Sequence, residues 1–178
     1  MNIVNVGYDS TNYYMLADHT PRLLVDAGWP GTLGRFQHQC ERMGVALPTL
    51  KHMLVTHFHP DHAGLVRELS DLGLTLILPD VQAPAPDGVR IVPLALADSR
   101  AFLATIGIAG ELLHTPGHSD DSVTLVLDEG AAFTGDLTPA SFVDDPAHPV
   151  SQSWQAIREH GATAIYPGHG PVFPLGSR

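Results

Sequence analysis

The first quarter of the chain alternates apolar and polar positions. Residues 2–6, 12–17 and 22–25 read as short extended segments, because a period of two sends successive side chains to opposite faces of a strand. Turn-forming stretches separate them: Gly7-Tyr8-Asp9-Ser10, residues 18–21, and Asp26-Ala27-Gly28. The period then changes. Leu33, Phe36, Cys40 and Met43 recur at intervals of three and four, which predicts an amphipathic helix closed by Gly44. Residues 52–56 form a short apolar strand, and Leu65, Val66, Leu69 and Leu72 mark a second helix stopped by Gly73. Strands are predicted over 74–78, 89–92, 111–114, 122–127 and 131–134, with a proline-rich surface connection over 79–88. A third helix, capped by Ser151 or Ser153, buries Trp154 and Ile157 and ends at Gly161. A last strand over 164–166 runs into Pro167-Gly168-His169-Gly170. Hairpins interleaved with single helices imply sheets with helices packed outside them, an α/β layered domain. No repeat or linker divides residues 1–178, which are expected to form one domain.

Composition narrows the chemistry. With 44 % hydrophobic and 16 % charged residues, the 178-residue chain has the makings of a globular core. Its one cysteine, Cys40, excludes a disulfide framework and any cysteine-cluster zinc site, and lies on the apolar stripe of the first helix. Nine Lys and Arg against nineteen Asp and Glu give a formal charge of -10, so nucleic acid is not an expected partner. The N-terminus shows no cationic segment followed by an apolar run, and the longest apolar stretches fall far short of the ~20 residues of a membrane helix. A cytoplasmic protein without a membrane partner is expected. The eleven histidines outnumber all Lys and Arg together.

Seven of the candidate functional residues lie in four short motifs. Thr56-His57-Phe58-His59-Pro60-Asp61-His62 leaves a buried strand with four metal-ligand types in six positions. If this segment stays extended, His57, His59 and Asp61 point to one side, and His62 opens the next helix. Thr115-Pro116-Gly117-His118, Thr134-Gly135-Asp136 and Pro167-Gly168-His169 share a second form: a strand, a glycine turn, then a ligand-type residue. Glycine lets the backbone bend sharply and approach a metal closely. An ordinary solvated reading suits His19, His38, His52, His114 and His160, but not four such motifs in this order.

On these motifs the chain resembles the metallo-β-lactamase-fold hydrolases, the superfamily that includes glyoxalase II and the lactonases. The resemblance runs from the first hairpin through Leu24-Val25-Asp26-Ala27-Gly28 to the Pro167-Gly168-His169-Gly170 segment. It implies a four-layer αβ/βα sandwich with a metal centre at the edge of its two sheets. Carried over position by position, His57, His59 and His118 would hold one ion. Asp61, His62 and His169 would hold a second, and Asp136 would bridge both. Two zinc ions are implied, with iron or manganese as alternatives. Asp26 matches an aspartate that orients the ligand loop, and it equally suits a turn-capping role beside Gly28. Two divalent ions against two carboxylates and a hydroxide would leave a slightly positive centre in an acidic protein.

Departures from the family pattern refine the expectation. Class B β-lactamases have a cysteine among the ligands of the second ion or lack the bridging aspartate, whereas this chain has Asp136 and keeps its cysteine elsewhere. Only residues 171–178 follow the last motif, so the helical domain of glyoxalase II is not expected. Lys51 is the only lysine, unlike the basic arms of nuclease members. Ser119-Asp120-Asp121-Ser122 stands where relatives often have a Pro-Gly pair, which touches the pocket rim and no ligand. The brief stretch between Leu78 and Glu111 implies a small, open pocket, with Tyr8, Phe58, Phe142 and Val143 as apolar walls and His148 beside the substrate. The reading that results is a dinuclear zinc hydrolase of a small ester, lactone or thioester. Asp61 and Asp136 would be the catalytic carboxylates serving attack by a metal-bridging hydroxide. The competing readings are a mononuclear iron oxidoreductase of the persulfide dioxygenase kind and an idle metal-binding scaffold.

Overall fold

The computed structural model describes residues 1–176. Its first half builds a six-stranded sheet in chain order. β1 (Asn2–Asn5), β2 (Tyr14–Asp18) and β3 (Thr20–Val25) form an antiparallel meander. β4 (His52–Leu54), β5 (Thr75–Pro79) and β6 (Ile91–Leu94) then add in parallel, through crossovers that carry α1 (Leu33–Arg42), α2 (Pro60–Ala63) and α3 (Val66–Asp71). The second half forms a five-stranded sheet from β7 (Gly110–His114), β8 (Val123–Leu127), β9 (Ala131–Gly135), β10 (Ala164–Pro167) and β11 (Phe173–Pro174). β9 and β10 run parallel, joined across α5 (Pro149–Glu159). A short helix, α4 (Ser99–Thr105), links the halves.

Strand alternation divides the apolar residues into three layers of packing. Met15, Leu24, Met53 and Leu76 face Phe36, Cys40, Leu65 and Leu69 of the first helices. Their neighbours Leu16, Leu23, Leu54 and Ile77 point the other way and meet Leu125, Leu127 and Phe133 between the sheets. Val126, Ala132 and Ile165 on the outer face of the second sheet pack on Val150, Trp154 and Ile157 of α5. The central strands therefore bury both faces, which is why β8 and β9 read as near-continuous apolar runs. The result is a four-layer αβ/βα sandwich.

Several elements differ from the sequence expectation. β4 ends at Leu54, and Pro60 at the first position of α2 begins a helical turn, so the motif is not extended throughout. α5 starts at Pro149, not after Ser151 or Ser153; His148 is its cap and accepts the Val150 amide on its side chain. Ser153 is buried and donates to the Pro116 carbonyl instead. α4 and β11 carry no strong periodicity and were not expected. Among the described residues, no helix is long and apolar enough to cross a membrane.

Candidate metal centre

The four motifs meet at one edge of the sandwich because their strands deliver them from their carboxyl ends, where parallel strands leave their loops. β4 supplies the 55–62 segment, β7 the His118 turn, β9 Asp136 and β10 His169. Backbone bonds lock the loops across the two sheets: the Val123 amide donates to the Thr56 carbonyl (2.8 Å), and the Asn12 amide to the Gly168 carbonyl (2.7 Å).

The side chains converge as two triads. Ring nitrogens of His57, His59 and His118 lie within 4.8 Å of one another, and so do ligand atoms of Asp61, His62 and His169. Asp136 sits between them. Its Oδ1 is 3.3 Å from His62 Nε2, while its Oδ2 is 3.3 Å from His169 Nε2 and 3.7 Å from His118 Nε2. Asp61 therefore parts from His57 and His59, against the extended reading of the motif, because the helical turn at Pro60 rotates it toward His62. His57 and His62 form a buried floor, and His59, His118 and His169 an exposed rim.

Polar neighbours fix which nitrogen each floor histidine presents. Asp26, buried and held at φ +65°, accepts the Thr56 amide on Oδ1 (2.7 Å) and faces His62 Nδ1 with Oδ2 (2.9 Å). The Thr56 hydroxyl donates to the same carboxylate (3.1 Å), so its oxygen is left to accept from His57 Nδ1 (3.1 Å). Both floor rings thereby turn Nε2 into the centre. His169 Nδ1 donates to the Ser10 carbonyl (2.6 Å), with the same consequence on the rim. The Thr11 hydroxyl donates to Asp61 Oδ2 (3.1 Å).

The buried inward atoms have no hydrogen-bond partner. His57 Nε2, His62 Nε2 and Asp136 Oδ1 are buried without a hydrogen bond, a costly state for polar atoms unless an ion completes them. A Cβ on Gly168 would strike Asp136 Oδ1 and the His62 ring, so glycine keeps the centre open. The donor set is all nitrogen and oxygen, which suits zinc, iron and manganese. These residues fit a pair of divalent ions.

Charge follows the same geometry. Burial pushes His57 down to about 4, helped by the neighbouring His62, so it is a neutral ligand. Burial also opposes charge on His62, but the carboxylates of Asp26 and Asp136 outweigh it and hold the ring up at about 10. Asp136 is desolvated too, yet His62 and the surrounding histidines bring it down to about 2. Without metal, His62 is an imidazolium held among carboxylates.

A cavity of about 360 Å³ adjoins this cluster, lined by His118, Asp136 and His169 and then by Leu137, Trp154 and Phe173. The residues expected as pocket walls are not among the residues that line this cavity. Tyr8 packs its ring on Tyr13, and Phe58 packs against the first core layer. Phe142 is 77 % exposed on a short turn, Val143 packs against the α5 layer, and His148 caps α5. The walls of this cavity come in part from α5 and β11, whose positions depend on tertiary packing. Ser10 and Thr11 were also missed, since nothing local marks contacts spanning 159 and 50 residues. Thr56 could have been found as a hydroxyl directly beside the first histidine.

Comparison with known proteins agrees with this architecture. Residues 6–74 match the model of the metallo-beta-lactamase superfamily. A beta-lactamase-like protein 2 homolog of Drosophila melanogaster is 29 % identical over 93 % of this chain and 61 % of its own length. An atrochrysone carboxyl ACP thioesterase of Aspergillus novofumigatus, nsrC, is 30 % identical over 91 % of this chain and 49 % of its own. The chain thus spans about half to three fifths of these curated relatives. Among solved structures, TTHA1623 in a di-iron-bound form superposes with a TM-score of 0.69 at 24 % identity, over 98 % of this chain and 94 % of that one.

Proposed function

The chain belongs to the metallo-beta-lactamase superfamily, and on that premise we propose that it is a dinuclear metallohydrolase of a small ester, lactone or thioester. One observation carries the reading: Asp136 stands between two ligand triads whose buried inward atoms are otherwise unpartnered. A thioesterase among the relatives supports the carbonyl chemistry. We assign His57, His59 and His118 to one ion and Asp61, His62 and His169 to the other, with Asp136 shared.

Bound divalent ions polarise a carbonyl and lower the pKa of water toward neutrality, so no serine or cysteine nucleophile is required. The protein's part is orientation. Asp26 holds His62 directly and His57 through Thr56, which turns both Nε2 atoms toward the ions as the ligand nitrogens. Thr11 steadies Asp61, which orients the attacking water. The exposed rim of His59 and His118 leaves the departing group open to solvent, from which it takes its proton. Zinc is the metal assigned, the partner a small molecule, and the compartment the cytoplasm.

The test is elemental analysis of purified protein followed by a carbonyl-substrate panel with a chelated control. Two zinc ions per chain and chelator-sensitive hydrolysis are expected. At most one bound ion after zinc supplementation, with an inert panel, overturns the reading. An iron oxidoreductase is the second reading, drawn from the di-iron-bound neighbour and the sulfur-free donor set. Iron as the tightly held metal would favour it.

A further inference from the structure

The cavity beside the metal centre divides sharply in character. One side is the ligand cluster, and the other is Leu137, Pro139, Trp154, Pro167 and Phe173, with no lysine or arginine among the described residues that line it. Trp154 is 4 % exposed and its indole N–H is already given to the Thr138 carbonyl (2.8 Å), so the ring offers only carbon to the cavity. Arg158 lies against the Trp154 ring (5.9 Å) and does not line the space. Phe173 is 40 % exposed on a two-residue strand, an aromatic left open at the mouth.

We propose that this cavity is the acyl subsite, and that it selects substrates whose acyl group is uncharged and apolar, such as a short aliphatic chain or an aromatic ring. The proposal rests on the hydrolase reading and names its substrate class. Volume permits it, since about 360 Å³ lies at the small end of ligand pockets. Polarity assigns the side of the scissile bond. A departing alkoxide or thiolate needs a proton, and among the described residues the lining offers no titratable side chain beyond the ligand cluster itself. Placed there, that anion would be stranded against carbon. The acyl chain loses nothing by the same surroundings and gains by leaving water. A carboxylate at the end of the acyl chain would be buried with no cation among the described lining residues to meet it.

The experiment uses the metal-loaded protein with Trp29→Phe, so that Trp154 is the remaining tryptophan reporter. Linear hydroxamates from acetyl to octanoyl, and a succinyl hydroxamate, are titrated by fluorescence; thioesters with the same acyl groups and one constant thiol are assayed in parallel. Dissociation constants should fall about fourfold per methylene until the cavity fills, kcat/KM should rise in step, and succinyl should be weaker than butyryl. Phe173→Ala should flatten the slope, and Phe173→Trp should move the plateau to a shorter chain, with metal content equal to the parent in both. A flat series, or succinyl tighter than butyryl, overturns the acyl subsite even if hydrolysis is robust. A graded hydroxamate series with thioesters, esters and lactones of the same acyl groups all inert upholds the subsite and overturns the hydrolase reading instead.

Discussion

Asp136 and His62 are where single atoms decide the chemistry. Asp136 is the one carboxylate that faces both triads, so Asp136→Ala should lower kcat by orders of magnitude while circular dichroism and thermal unfolding show the fold retained. Near-parental turnover would remove it from its shared position. Asp26 acts one step back. Asp26→Asn should keep the carboxamide in place but lose the charge that orients His62, weakening metal affinity about 10–100-fold in competition with a chelator. His62 adds a proton to the account. Its folded value of about 10 lies above its ordinary 6.5, so in the metal-free protein the ring is charged at neutral pH. Metal uptake at pH 7–8 should therefore release about one proton per chain from this ring, measurable by titration in buffers of different ionisation enthalpy. The sign also governs the apo protein: the contribution of His62 is fully present below pH 6.5 and is lost as pH rises through about 10.

Loops rather than strands hold the functional detail. The Pro167-Gly168-His169-Gly170 loop is clasped by the first hairpin: Asn12 donates its side-chain amide to the Pro167 (2.9 Å) and Gly170 (2.8 Å) carbonyls, and the Tyr14 hydroxyl donates to Pro167 (2.9 Å). Inside that clasp Gly168→Ala has no room to relax, because its Cβ would meet Asp136 and His62 together. It should abolish binding of the second ion and leave the first triad titratable, as counted by stoichiometric metal titration. The four motifs and the strands feeding them were legible because each carries its own signal: alternation in the strand, glycine in the turn, a ligand type after it. The pocket wall was not. Trp154 read as core, which it also is, and only the docking of α5 beside β9 and β10 turns one edge of its ring to the cavity. Residues 95–106 lack a clear apolar stripe, so α4 escaped notice, although Leu103 closes one end of the inter-sheet layer. His148-Pro149 did hold a start signal for α5, proline at the first helical position, which the serines that follow obscured.

Across the whole molecule, charge separates the body from its centre. The formal charge is -10, yet the ions that fit the cluster would make the site itself mildly positive. A small acyl compound can approach such a site, whereas a polyphosphate must first cross an acidic surface. Single-stranded RNA and DNA should accordingly show no chelator-sensitive cleavage under conditions where small thioesters turn over. Robust cleavage, with the carbonyl panel inert, would contradict the assignment of substrate class.

The bonds that tie the two sheets at the site bear on how the protein matures. Thr56 and Val123 lie 67 positions apart in the numbering, and Asn12 and Gly168 are more than twice as distant. Neither half of the chain owns a complete ligand set, since each triad draws on both sheets. Ion capture must then wait for the long-range pairings that are slowest to form. A pair of ions, one in each triad, would mark that docking is finished, and their release should track separation of the sheets rather than fraying of any single loop.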